Sequence, residues 1–195
     1  MDHGALAAAG TPEGDHLRFG RAQVGLLVNR FQDDPGCRLF LVSLKAGGLG
    51  RFVTGFVARV AGADGDGIAL FERLGYHTFT LAQLIDDLRD ACAPGEDSDL
   101  GQRKATLPVT FYGQGIDSPA PVDGILSADI CSTYQSSGAP LYAAILAHAY
   151  KSRAEEDLTL LARHGYAVGG LVRFLESVDS GAEEVLSAAR SSLVS

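Results

Sequence analysis

The sequence predicts a helix-rich α/β domain: a short sheet covered by helices, with a helical layer at the C-terminal end. Two patterns and the composition carry that expectation. Apolar residues fall on one helical face in Val24, Leu27, Val28 and Phe31, and again along Leu81, Leu84, Ile85, Leu88 and Cys92. The short, turn-bounded apolar run Leu39–Val42 fits a buried strand. With 46% hydrophobic and 21% charged residues over 195 positions, the chain has the composition of a folded domain.

Taken in order, residues 1–18 are rich in Gly, Ala, Asp and His without periodicity and read as a flexible arm; 19–195 reads as a single globular domain. A helix over 20–33 stops at Pro35-Gly36. A strand over roughly 38–44 follows and is broken by Gly47, Gly48 and Gly50. Residues 52–60 suit either state, and Gly55 with the Val and Thr content tips them toward a second strand. Thr80 with Gln83 has capping-box spacing, so a helix is expected over 80–92, ended by Pro94-Gly95. The polar stretch 93–107 reads as a solvated loop and a candidate internal boundary. A third short strand is expected over 108–112, then irregular chain through the Gly- and Pro-rich 113–124. A long helix from about Ala139 to Arg163, and shorter ones over 168–178 and 181–192, close the chain. Setting Gly75 against Gly165 also aligns Leu70 with Leu160, Arg73 with Arg163, Tyr76 with Tyr166 and Leu81 with Leu171. Each copy then reads as helix, Gly-Tyr turn, helix, with glycine as the left-handed residue that ends the first helix.

Sixteen basic against 24 acidic residues give a formal net charge of −8. That balance argues against coating phosphate backbones non-specifically, which needs clustered Lys and Arg. The N-terminus carries Asp2 where an export signal needs positive charge, and no uninterrupted apolar run approaches 18 residues. The expected location is cytoplasmic, without membrane contact. Cys37, Cys92 and Cys131 are an odd number at wide spacing, which suits buried free thiols better than a disulfide framework.

The most specific stretch is residues 10–50. Gly10-Thr11, Arg21, Val28-Asn29-Arg30-Phe31-Gln32-Asp33-Asp34-Pro35-Gly36-Cys37 and Leu39-Phe40-Leu41-Val42-Ser43-Leu44-Lys45-Ala46-Gly47-Gly48-Leu49-Gly50 together resemble the second motor lobe of Swi/Snf-type helicase-like ATPases. The resemblance implies a strand delivering a glycine-rich loop to a nucleic-acid backbone or nucleotide. Its small residues would admit phosphate to backbone amides, and Lys45 would add a point charge. The chain departs from the family after Gly50, where Arg51-Phe52-Val53-Thr54 stands, and it has no phosphate loop, no magnesium-binding carboxylate box and no downstream arginine motif. An ATPase on its own is therefore not expected. What remains is a non-catalytic binding or regulatory module with an anion loop at Ser43, Lys45, Gly47, Gly48 and Gly50, its partner a phosphate-bearing ligand or nucleic acid.

The alternative is a small-molecule enzyme or ligand-binding protein with its pocket around Tyr112, Gln114, Asp117 and Cys131, the Gly-rich loop after a strand being a common ligand site. In that reading Cys131 and His148 form a thiolate–imidazole pair. A third is an oligomeric structural protein in which helices within 139–192 pair between subunits. Asp64-Gly65-Asp66-Gly67 fails the register of a calcium loop, because Gly62 and Arg73 stand where carboxylates belong. A helix-turn-helix is disfavoured by Phe71 at a tightly packed position and by Asp86, Asp87 and Asp90 on the second helix. No metal or cofactor is expected.

Overall fold

A computed structural model describes residues 34–91, 98–102, 104–115 and 128–178. Among them 84% are helical and none lies in a strand. The expected sheet is overturned: 38–44 and 52–60 belong to one helix, and 108–112 to another. The reason is physical. A run of four apolar residues has no periodicity of its own, so Leu39–Val42 is compatible with either state. Two of the neighbouring glycines that look like breakers, Gly47 and Gly50, face another helix and make its close approach possible.

The first helix, α1 (Pro35–Val60), starts where Asp34 accepts the Gly36 amide at 2.7 Å and proline occupies the first turn. It ends at Gly62, with φ +80, where Ala63 N–H returns to Ala58 O at 3.0 Å. Within α1 lies one π-helical turn, Ser43–Gly47, which inserts one extra residue. That residue decides which way the distal half faces. At about 100° per residue, an uninterrupted α-helix would swing the downstream residues a quarter turn or more away from the upstream ones. With the π turn, Leu39, Ser43, Gly47, Gly50, Thr54 and Ala58 line the inner side, and Phe40, Leu44, Phe52 and Phe56 the outer side.

The central helix is α2 (Gly65–Ala91), which packs on α1 along one side and on α5 (Ala139–Arg163) along the other. Asp64 caps its start, accepting the Gly67 amide at 2.7 Å and the Tyr166 hydroxyl at 3.2 Å; the amide bond above all holds the carboxyl below the usual range. The polar tetrapeptide 64–67 is thus a helix cap. Gly75-Tyr76, expected to turn, lies inside α2, and Thr80, expected to cap a new helix, is buried mid-helix with its hydroxyl on Tyr76 O at 2.8 Å. Gly165, its counterpart in the proposed repeat, does turn, at φ +86, with Tyr166 N–H on Leu161 O. Only one of the two copies therefore has the expected conformation.

Leu70, Leu74, Leu81, Leu84 and Ile85 of α2 form the main core with Ala147, Tyr150, Ala154, Leu158 and Leu161 of α5. A second cluster joins Ala91 and Leu100 to Tyr112 of α3 (Leu107–Gly115), Tyr134 of α4 (Ala128–Ser136) and Ala139. Residues 98–101, expected in a solvated loop, are buried: Asp99 and Leu100 donate their amides to Asp90 O and Ala91 O at the end of α2. A last helix, α6, covers 169–178. The long helix over 139–163 has the bounds expected of it. The arm 1–18 and the helices over 20–33 and 181–192 lie outside the described residues.

Candidate functional site

The glycine-rich segment does not form an open loop. Ser43 is buried, and its hydroxyl donates to Phe40 O at 2.9 Å within the helix. A Cβ on Gly47 would come within 2.7 Å of the Tyr76 ring and 2.5 Å of Thr80 Oγ1, and one on Gly50 within 2.2 Å of Gly75 O. These two glycines pack helices. Gly48 meets nothing within 4 Å. The amides after Gly47 are engaged in the helical ladder, so a cradle of free backbone donors is absent here.

Lys45 stands on this helix and not in a loop. With 35–42 helical, Arg38 and Lys45 stand two turns apart on one flank of α1, where both line a cavity of about 230 Å³. Gln83 and Asp87 of α2 form the facing wall, and Thr106, just before α3, completes it. Asp87 is a buried carboxylate held by the Gln83 amide at 2.8 Å and by the backbone amide of Leu107, so it caps α3 from another helix. Burial pushes its carboxyl up to about 6; the hydrogen bonds oppose the rise, and Asp99 and Asp86 nearby add to it. The Thr106 hydroxyl is buried with no hydrogen-bond partner among the described residues. The cavity thus gathers two cations, a carboxyl that titrates near neutrality, an amide and an unpaired hydroxyl.

Asp87 makes stability depend on pH. Its folded pKa lies above the unfolded value of 3.8, so between about pH 4 and 6 the folded state keeps a proton that the unfolded chain has lost. Stability therefore falls as pH rises through that window and levels off above it, by up to about 3 kcal/mol. Asp87→Asn is expected to remove this slope. Urea unfolding of both proteins across that window measures it, and an unchanged slope in the variant would refute the assignment.

Of the alternative pocket, only the Tyr112 and Cys131 side chains lie among the described residues. Tyr112 is buried edge-on against Tyr134 at 5.6 Å, and its hydroxyl has no partner among the described residues. Cys131 is disulfide-bonded, so it cannot supply a thiolate, and His148 lies exposed on α5. That bond also corrects the expectation that all three cysteines are free; Cys37 alone is free among the described cysteines. The Gln114 side chain and Asp117 lie outside the described residues. No group of three or more His, Cys, Asp or Glu side chains among the described residues could hold a metal.

Sequence reasoning missed Arg38, Gln83, Asp87 and Thr106 as site residues. The available signals were the two-turn spacing of Arg38 and Lys45, hidden by assigning a strand, and the Gln83–Asp87 pair one turn apart. Comparison with protein-family models, with curated proteins and with solved structures gives no match.

Proposed function

We propose that the chain is a non-catalytic binding module that takes a phosphate-type dianion in the cavity between α1 and α2. The observation that carries this reading is the convergence of Arg38 and Lys45 on a cavity whose opposite wall offers further donors. Lysine and arginine supply charge, while the Gln83 amide and the Thr106 hydroxyl supply directed hydrogen bonds. Once protonated, Asp87 becomes a donor as well; ionised, it repels an anion. Affinity should therefore rise as pH falls through about 6, the value to which burial raises that carboxyl. The size of the cavity suits one phosphate group better than a polyanionic backbone. With a net charge of −8, the rest of the surface offers nucleic acid little attraction.

Sulfate tests this cleanly, because it stays dianionic across the range in which Asp87 titrates. Calorimetric titration is expected to give affinity about tenfold higher near pH 5.5 than near pH 7.5. Asp87→Asn should abolish that difference, and Lys45→Ala should weaken binding about tenfold at both values. Sulfate affinity indifferent to Lys45→Ala would end the proposal.

A further inference from the structure

We infer that the outer face of α1 lies on an anionic lipid surface, with a phosphomonoester headgroup entering the cavity beside Lys45. The choice of a lipid phosphate rests on the anion reading above; the docking of the helix rests on separate observations.

The first is the apolar face itself. Phe40, Leu44, Phe52, Phe56, Val57 and Val60 are each more than half exposed, and all stand on one helix. Phe52 and Phe56 stack with ring centroids 6.2 Å apart, forming a continuous aromatic surface in the open. Exposed large apolar groups are ordinary when scattered, but a contiguous row along one element marks a contact surface. The π turn is what makes the row contiguous, because it brings the residues on either side of Ser43–Gly47 to the same side of α1.

The second is charge. Residues 35–60 hold Arg38, Lys45, Arg51 and Arg59 and no acidic residue, in a chain that otherwise carries 12 basic and 24 acidic residues. By helical position Arg38 and Lys45 run along one edge of the apolar row, Arg51 and Arg59 along the other. Glu72 holds the latter pair, at 3.2 Å from Arg51 and 3.0 Å from Arg59. An apolar stripe edged with cations matches a membrane–water boundary: the aliphatic stems stay with the acyl chains while the charged ends reach the headgroups. Even with Glu72 counted, these residues sum to a net positive charge, which a second copy of the chain would set against its own.

The third is how α1 is held. It is long and apolar enough to cross a bilayer by length and composition. It is nevertheless locked to α2 through Gly50, Gly75 and the 2.6 Å bond from the Thr54 hydroxyl to Phe71 O. Crossing would drag Glu72, Arg73, Asp86 and Asp87 into hydrocarbon. Lying flat, α1 offers its outer face to lipid and keeps its inner face on protein. The expectation of no membrane contact rested on the lack of an uninterrupted apolar run, which a surface-lying helix does not require.

Flotation of the full chain with vesicles tests this. Binding is expected to phosphatidylcholine vesicles containing phosphatidic acid, with little to phosphatidylcholine alone, and to weaken as salt rises. The double variant Phe52→Ser/Phe56→Ser alters only exposed side chains and should weaken vesicle binding at least about tenfold. Its sulfate affinity should be unchanged, so the two proposals fail separately. The inference is overturned if the variant binds vesicles like the parent or if neither vesicle is bound. It is also overturned if sedimentation velocity shows a concentration-dependent dimer that the variant abolishes.

Discussion

Replacing Gly75 with alanine is expected to destabilise the protein by about 2 kcal/mol net, although alanine is the better helix former. The methyl group would sit 2.3 Å from Gly50 O and 2.2 Å from Thr54 Oγ1. Thr54 cannot rotate away without giving up its bonds to Phe71 O and Gly50 O, and the Gly50 carbonyl cannot move without moving α1. Overpacking against backbone costs about 3 kcal/mol, and the gain in helix propensity returns about 1 kcal/mol. Gly50→Ala meets the same obstacle from the opposite side, at 2.2 Å from Gly75 O. Gly48→Ala is the control: a Cβ there touches nothing, so propensity alone acts and stability should rise by about 0.5–1 kcal/mol. Urea midpoints of the three variants check the set. Equal and positive shifts in all three would mean that α1 and α2 are not in backbone contact.

Asp157→Ala should cost about 3 kcal/mol. Asp157 is completely buried on α5 and faces α2, where Arg73 Nη2 lies 2.6 Å from one carboxylate oxygen and His77 Nδ1 2.8 Å from the other. The two partners are one turn apart, so a single carboxylate ties two successive turns of α2 to the last third of α5. Alanine leaves the His77 ring, almost buried between Tyr76 and Tyr150, without a partner, and opens a void in the main core. Asp157→Asn is expected to recover only part of the loss, because its amide nitrogen must face one of two donors. The comparison is Glu72→Gln. Glu72 also makes two ion pairs, but with arginines at least 60% exposed, and should cost under about 1 kcal/mol. Thermal unfolding of the three ranks them, and an Asp157→Ala protein as stable as Glu72→Gln would contradict the buried bridge.

The sequence made some of this architecture legible. Pro140 at the start and Gly165 just past the end bracket α5, and the long helix between them is where periodicity and punctuation agree. The stripe Leu81, Leu84, Ile85 and Leu88 is buried as its spacing demands. Errors gathered where a local signal has two physical meanings. Glycine is both a breaker and the residue that lets two backbones touch. Gly47, Gly50 and Gly75 serve the second use, which depends on a partner helix that local sequence does not reveal. Thr80 looked like a cap because its hydroxyl bonds backbone, and it does so, to Tyr76 O one turn back. Lys45 is legible as a cation among small residues, but it stands on a helix and not in an open loop. Its companions come from α2 and the segment before α3, dozens of residues away, and the resemblance that drew attention to it implied a strand.

The π turn at Ser43–Gly47 also bears on what the gene can tolerate. An in-frame loss of a single codon there would let the wide turn close into ordinary α-helix, and the residues beyond it would keep their faces. A gained codon has no such outlet: it would rotate the distal half by about 100°, carrying Gly50 off Gly75. For these few codons, then, loss should be inherited more readily than gain.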